Sequence, residues 1–281
     1  MLVPRCKEIS FKVGGKLNLF LAIVGKTNGY HSIETVFQSI DVYDNLKIEI
    51  IGEDVKLTCR GMPSGENNLA LKAGRLFKET FGLKEGIHIW LDKRIPIGRG
   101  LGGGSADAGG VLLALGRLYG IPRERLLPLA SSLGADVSFF LYGGCAIGRG
   151  KGDLIEPIPL KVPFRFFLLI PSFSIPTAIA YAQVKPPYQP SSLNHFLEVL
   201  RKGDIMEIGK AMRNDLEKAV FPLYPELAVA KEELLEQGFP TLMTGSGSAL
   251  FALFKDHPPS FSREGWKAMI VNPTSTAVEW R

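Results

Sequence analysis

The chain has 281 residues, 46% hydrophobic and 22% charged, the balance of a soluble globular protein with room for one large domain or two ordinary ones. Its longest apolar runs, such as Phe164–Ile170, are too short to cross a bilayer, and the N-terminal MLVPRCKEIS lacks the apolar core and cleavage site of a secretory signal. Three scattered cysteines, Cys6, Cys59 and Cys145, exclude a disulfide framework and a zinc site and suit a reducing cytoplasm, while a formal charge of +5 suits an anionic partner, nucleic acid or phosphorylated metabolite alike.

In chain order, Glu8–Val13 and Leu17–Val24 are apolar runs broken at Gly14-Gly15, which predicts two strands and a turn. Val36–Asp41, Leu46–Ile51 and Asp54–Cys59 read as further strands. Asn68–Thr80 then switches to helical spacing, with Leu69, Ala73, Leu76 and Phe77 on one face and Glu66-Asn67-Asn68 as the source of a cap. Gly86–Leu91 alternates as a strand. Ser105–Tyr119 is a helix ended by Gly120 and Pro122, Arg123–Ser132 a second, and Gly134–Leu141 the start of a third, ended at Gly143-Gly144. Three prolines in Glu156–Pro163 mark a domain boundary, which gives an N-terminal domain over 1–160 and a C-terminal domain over 161–281. Beyond it come a strand at Phe164–Ile170, a short helix at Thr177–Gln183 and a proline-rich loop. Helices follow over Leu193–Arg201, Ile205–Ala219 and Pro225–Gln237. Thr241–Met243, Ala249–Phe254, Lys267–Val271 and Thr276–Trp280 return as strands. The order predicts two α+β domains with helices on largely antiparallel sheets.

The strongest chemical signal is Pro96-Ile97-Gly98-Arg99-Gly100-Leu101-Gly102-Gly103-Gly104-Ser105-Ala106-Asp107. Five glycines crowd a strand-to-helix connection. Glycine lets the backbone approach a phosphate and adopt positive φ, and the helix that follows offers unpaired N–H groups. No GK[ST] follows, so this is not a Walker A loop. Gly98, Gly100 and Gly103 satisfy GxGxxG and Glu124 lies at the ribose-binding distance, but a dinucleotide fold needs a strand after the helix, and Pro122–Ser132 reads as another helix.

Three further segments carry polar residues in apolar surroundings. In Gly134-Ala135-Asp136-Val137-Ser138-Phe139-Phe140, Asp136 is either a helix cap or a general base in a partly dry site. Lys16 and Asn18 share parity on a strand, as a solvated face or as site residues. Tyr30 and His31 follow a turn signal at Asn28-Gly29 and can stack on a base. Gly148-Arg149-Gly150-Lys151-Gly152 suits an ordinary turn or a second anion site. Thr244-Gly245-Ser246-Gly247-Ser248 is either a hairpin turn or a backbone that must approach another phosphate loop.

Together these segments resemble the GHMP kinase superfamily over nearly the whole chain. The loop at Pro96–Ser105 matches its central ATP-binding motif, and Gly15–Leu21 and Thr244–Ser248 match its first and third motifs. Lys16–Leu19, Asn28–His31, Thr35–Gln38, Gly134–Val137, Gly148–Gly152 and Asn214-Asp215-Leu216-Glu217 resemble the branch that phosphorylates a cytidyl diphosphate polyol on the non-mevalonate route to isoprenoids. That branch usually opens Pro-Ala-Lys-Ile-Asn-Leu, where this chain has Gly14-Gly15-Lys16-Leu17-Asn18-Leu19.

The resemblance implies an N-terminal domain like the second domain of ribosomal protein S5 and a ferredoxin-like C-terminal domain. It implies a cytoplasmic kinase, a monomer or weak homodimer, that uses ATP and Mg²⁺ with no membrane or nucleic-acid partner. Pro96, Ile97, Gly98, Arg99, Gly100, Leu101, Gly102, Gly103, Gly104, Ser105 and Ala106 would wrap the ATP phosphates, with Asn67 and Lys93 on the adenine side. Asp136 would accept the proton of the attacking hydroxyl, and Lys16 would hold Asp136 ionised and stabilise developing charge. Asn18 would orient the polyol, Tyr30 and Tyr181 would sandwich the cytosine, His31 would bond its edge, and Lys151 would meet the diphosphate. Val at Gly103 is expected to abolish the phosphate cradle while sparing the fold.

Overall fold

The structure, a computed structural model, describes residues 2–27, 29–61 and 65–281. Two long strands open it, β1 (Glu8–Thr27) and β2 (Tyr30–Ile50), followed by β3 (Val55–Arg60), α1 (Leu69–Phe81), β4 (Ile87–Asp92), α2 (Gly103–Tyr119), α3 (Arg123–Leu133) and α4 (Val137–Phe140). A hairpin of β5 (Cys145–Arg149) and β6 (Leu154–Ile158) leads to β7 (Arg165–Pro171), α5 (Thr177–Ala182), α6 (Leu193–Lys202) and α7 (Ile205–Ala211). The chain ends through β8 (Arg213–Asn214), α8 (Glu217–Val220), α9 (Pro225–Glu236), β9 (Thr241–Met243), β10 (Leu250–Phe254), β11 (Trp266–Val271) and β12 (Val278–Trp280).

The first sheet runs β12-β1-β2-β4-β3, with β5 on the first half of β2, β6 on β5 and β8 on β1; the second runs β11-β7-β10-β9. Pairing is antiparallel except for β3 with β4 and β8 with β1. Thus β8 and β12, both after residue 160, belong to the first sheet. One apolar interior runs through both sheets, from Phe11, Phe37, Phe77 and Phe139 to Phe166 and Phe251. Each such ring contributes on the order of 1.5–3 kcal/mol by leaving water, so the two halves are held as one body around the cleft between them. Among the described residues no helix is long and apolar enough to cross a membrane.

Four expectations change. The two strands expected around Gly14-Gly15 are one, because the glycines form an irregularity in the β1–β2 pairing rather than a turn. A Cβ on Gly14 would stand 2.5 Å from the Ile40 carbonyl oxygen, so glycine is needed there for close approach. Likewise the runs expected at Val36–Asp41 and Leu46–Ile51 fall on a single strand, which ends at Ile50. The helix expected over Ile205–Ala219 breaks at Met212, whose ψ of 139° is extended, and Arg213-Asn214 joins β1 at Phe20 and Leu21. The hairpin β5–β6 was hidden by its glycines and by Pro157, which is tolerated because β6 pairs on one side only. The turn expected at Asn28-Gly29 has its first residue outside the described residues; Gly29 has φ +82° between β1 and β2.

Candidate active site

A cavity of about 980 Å³ lies between the two halves of the molecule. Lys16, Asn18, Tyr30, His31, Lys93, every residue of Pro96–Ser105, Asp136, Lys151 and Tyr181 line it, with Gly245, Ser246 and Gly247 from the second half. Ala106 is fully buried behind the loop, and Asn67 stands outside the lining, exposed, with its Oδ1 accepting from Lys72 at 3.3 Å. These two expected phosphate and adenine contacts are therefore not brought to the cavity.

The loop 96–102 carries positive φ at Gly98, Gly100 and Gly102 and delivers the chain to α2 with no side-chain cap and no acid in the first turn. Its first N–H groups and the positive end of the helix dipole are thus left for an anion. The element after α2 is helix α3, not a strand, which removes the dinucleotide reading and the role for Glu124. The Arg99 side chain turns away and donates to the carbonyls of Pro171 (3.1 Å) and Ser172 (2.7 Å), so Arg99 offers backbone rather than charge to a phosphate.

Thr244–Ser248 is the support of this loop. A Cβ on Gly100 would collide with the Thr244 carbonyl oxygen, the Thr244 hydroxyl lies 3.4 Å from the Gly100 oxygen, and the Ala249 amide donates to Arg99 O at 3.2 Å. From the other side the Lys16 amide donates to Leu101 O at 3.0 Å. Of the two readings left open for the Thr-Gly-Ser-Gly-Ser segment, close approach to the phosphate loop is the one observed.

Gly103 is corrected in its physical role. Its Cβ direction points down into the protein, 2.8 Å from Lys93 Nζ and 3.0 Å from Ile95, so valine there would wreck the floor of the loop along with any cradle. A Cβ on Gly104 meets only Leu69 Cδ1, at 3.6 Å, and Leu69 lines the cavity. Gly104→Val is therefore the clean test. It should keep wild-type thermal stability and weaken ATP by on the order of tenfold or more, about 1.4 kcal/mol. Unchanged nucleotide titration of the folded variant rejects the cradle.

Lys93, expected near adenine, is instead the centre of a buried ion cluster under the loop. Its ammonium bonds Asp44 and, at 2.8 Å, Asp107 Oδ2, with all three side chains almost fully enclosed. Burial acts against the charge of Lys93, but the two carboxylates outweigh it and hold the pKa above its ordinary value. Asp107 is pushed well above the carboxylate range by burial, against the pull of Lys93. Asp44 also accepts from the amides of Arg94 and Ile95, which fixes the segment between β4 and the loop.

Opposite the loop, Lys16 Nζ lies 3.4 Å from Asp136 Oδ2 and donates to Asn18 Oδ1 at 2.5 Å. Lys16 and Asn18 are both 2% exposed, which excludes a solvated strand face. Burial lowers the Lys16 pKa, and the Asp136 carboxylate opposes that shift. Asp136 makes no side-chain cap to α4, and its side chain stays 33% exposed to the cavity. The capping reading is thus not what the residue does. Thr35, which sequence reasoning left without a role, accepts from Asn18 Nδ2 at 2.8 Å and donates to Phe20 O at 2.6 Å. Its signal was a hydroxyl inside the apolar run of β2, buried at 0%.

At the far end, Tyr30 is 66% exposed, and the Lys151 ammonium stands 5.7 Å from its ring centre. Arg149 pairs with Glu156 at 2.7 Å and lies outside the lining, so of the two cations in Gly148–Gly152 only Lys151 faces the cavity. His31 stacks on Tyr181 with centroids 5.4 Å apart, and its Nε2 is buried without a partner. Burial, then Lys26, lowers the His31 pKa, so the ring is neutral at pH 7. Burial, with Asp136 second, keeps Tyr181 a phenol. One face of Tyr181 is therefore already occupied by His31.

The N-terminal GHMP kinase model matches residues 68–144 and the C-terminal GHMP kinase model residues 196–267. The 4-diphosphocytidyl-2-C-methyl-D-erythritol kinase of Chlorobium phaeobacteroides (strain BS1) is 37% identical over 96% of this chain and 99% of its own length. The enzyme of the same description from Chromobacterium violaceum is 40% identical over 88% of this chain and 86% of its own length. A crystal structure of 4-(cytidine 5'-diphospho)-2C-methyl-D-erythritol kinase superposes with a TM-score of 0.77 at 34% identity, covering 94% of this chain and 99% of the other. Homoserine kinase from Cytophaga hutchinsonii also superposes at 0.77, but at 20% identity over 100% of this chain and 99% of its own, which is a likeness of fold.

Proposed function

The chain belongs to the GHMP kinases and, within them, to the 4-diphosphocytidyl-2-C-methyl-D-erythritol kinases, and from that membership and the cleft geometry we propose how it works. It uses ATP to phosphorylate the 2-hydroxyl of 4-diphosphocytidyl-2-C-methyl-D-erythritol, giving the 2-phosphate, a step of the non-mevalonate isoprenoid route. The observation that carries the mechanism is the Lys16–Asp136 pair at 3.4 Å in the same cavity as the uncapped N-terminus of α2.

Asp136 accepts the proton of the 2-hydroxyl as its oxygen bonds the γ-phosphorus. The bond from that phosphorus to the bridging oxygen breaks, and ADP leaves with the electron pair. Lys16 stabilises the negative charge that develops, and Asn18, held by Thr35, orients both Lys16 and the polyol. Pro96–Ser105 holds the triphosphate through its backbone. Phosphoryl transfer needs mainly positioning and charge neutralisation, which this set supplies.

Mg²⁺ fits as a companion of the nucleotide. Among the described residues no three His, Cys, Asp or Glu side chains converge, and Asp136 is the one acid in the lining. Triphosphate oxygens would hold the ion, with Ser105 and Asp136 at hand, and its chemistry there would be to neutralise charge on the transferred group. We take the working unit to be a cytoplasmic monomer or weak homodimer.

Mass spectrometry of a reaction with ATP, Mg²⁺ and the cytidyl substrate tests the activity. One added phosphoryl group is expected, with none on homoserine or mevalonate; the reverse pattern rejects the substrate.

In this reading the cytosine sits between Tyr30 and the stacked Tyr181–His31 pair, with His31 at the edge of the base and Lys151 at the diphosphate. Stacking on an aromatic side chain is worth roughly 1–3 kcal/mol, about 5- to 150-fold in affinity. Tyr30→Ala and Tyr181→Ala should each raise KM for the cytidyl substrate by an amount in that range and leave KM for ATP unchanged. His31→Ala should narrow the preference for cytosine over uracil. Loss of ATP affinity with the cytidyl KM intact would move the base elsewhere.

A further inference from the structure

The Asn214-Asp215-Leu216-Glu217 segment has no place in the mechanism above, yet the Asn214 and Glu217 side chains converge on the loop that confines Lys16. Asn214 is buried. Its Nδ2 donates to Met243 O at 2.7 Å and to Gly245 O at 2.8 Å, and its Oδ1 accepts from Leu216 N at 3.0 Å. Both donors of one amide are thus spent on the carbonyls that flank Thr244. Glu217 Oε1 accepts from the Met243 amide at 2.8 Å, while Asp215 Oδ2 accepts from Ile23 N at 2.8 Å, and the Asp215 amide donates to Leu21 O at 3.0 Å. The segment therefore ties β1, a few residues past Lys16, to Thr244-Gly245.

What it holds in place is the floor of the reacting centre. The Thr244 hydroxyl accepts from Asn18 N at 3.1 Å and lies 3.5 Å from Asn18 Oδ1, the oxygen that receives the Lys16 ammonium. A Cβ on Gly245 would stand 3.2 Å from Lys16 Nζ, so the backbone there packs against the ammonium. With Gly245 at φ +56°, the turn that creates this packing is set by the two carbonyls Asn214 holds.

We infer that Asn214 is a positioning residue for phosphoryl transfer: by fixing the carbonyls of Met243 and Gly245 it orients Thr244 onto Asn18 and confines the Lys16 ammonium against Asp136. The inference rests on the assignment of Lys16 and Asp136 above. Asn214 lies outside the cavity lining, so its effect falls on kcat rather than on either KM. Misplacement of a reacting group by about 1 Å costs on the order of 10²-fold in rate.

Asn214→Asp tests this. It keeps the shape of the side chain but sets a carboxylate against two carbonyl oxygens. Steady-state kinetics on the folded variant should show kcat down by about 10- to 100-fold, with KM for ATP and for the cytidyl substrate within about twofold of wild type. Protonation returns one donor to the introduced carboxyl, whose pKa burial raises. The deficit in kcat should therefore shrink as pH falls from 8 to 6. A merely structural role predicts a lower Tm with wild-type kcat per folded molecule and no such pH trend, and that result overturns the inference. If Asn214→Asp does not fold, Asn214→Ser, which keeps one donor, reads the same quantity, and an unchanged kcat in it is equally decisive against the proposal. Wild type that transfers no phosphoryl group to the cytidyl substrate would instead reject the functional reading. Active wild type, inactive Asp136→Asn and unaltered Asn214 variants would reject this inference alone.

Discussion

Asp136→Asn is expected to lower kcat by on the order of 10²–10⁴ while leaving ATP binding nearly intact, because an amide cannot accept the hydroxyl proton. The substitution is close to isosteric, and Asp136 caps nothing, so the fold has little to lose. The effect extends to Lys16. Burial already lowers that lysine below its ordinary 10.5, and the Asp136 carboxylate is the group that opposes the shift. In wild type, turnover should fall on the alkaline side as pH rises through this lowered value, since the neutral amine no longer stabilises charge on the transferred group. In Asp136→Asn the opposing carboxylate is gone, so the residual activity should decline at a lower pH still. Single-turnover rates across pH 6–10, with nucleotide titration as the control, measure both effects. Wild-type turnover in the variant removes Asp136 from the mechanism.

Which parts of this site the sequence carried follows from the range of the interactions involved. The phosphate loop was legible because its glycines, its entry strand and its helix are neighbours in the chain. Lys16, Asn18 and Asp136 stood out as polar residues in apolar runs, although only the fold brings Lys16 and Asp136 to 3.4 Å. Gly14-Gly15 was misread because a bulge and a turn look alike locally. The deciding contact is with Ile40 on the partner strand. The break at Met212 escaped for the same reason: apolar spacing runs on through Ile205–Ala219, and what ends the helix is pairing with β1 and the bonds Asn214 makes to residues 243 and 245. The resemblance put Lys93 on the adenine side, and its ion-pair partners could not be read locally because they are 49 and 14 residues away.

Lys93→Met should unfold the protein more readily by about 3–5 kcal/mol at pH 7, the cost of leaving a buried charge without its counter-ion. Methionine is a fair match for the lysine stem, so loss of packing is a small part of the effect. What remains is Asp44 and Asp107 enclosed together, and Asp107 Oδ1 already has no hydrogen-bond partner. The sign of the pH dependence distinguishes this from an ordinary core defect. In wild type, burial raises Asp107 well above its ordinary pKa even with Lys93 pulling the other way. Without the lysine nothing opposes burial, so the folded variant binds protons that the unfolded chain releases. Between the ordinary value of 3.8 and the raised folded one, the stability lent by protonated Asp107 is present at the acid end and lost as pH rises. The deficit relative to wild type should therefore shrink on acidification from pH 7 toward pH 5. Urea unfolding of both proteins at each pH measures it. Because the ammonium lies 2.8 Å from the Cβ direction of Gly103, loss of the cluster also removes the floor of the phosphate loop. ATP affinity should fall in the folded fraction while cytidyl substrate affinity stays. Lys93→Met/Asp107→Asn, which leaves one buried carboxylate with its two backbone donors, should recover more than half of the lost stability. A single variant as stable as wild type, or a deficit that grows as pH falls, would show that the cluster does not hold the loop by charge.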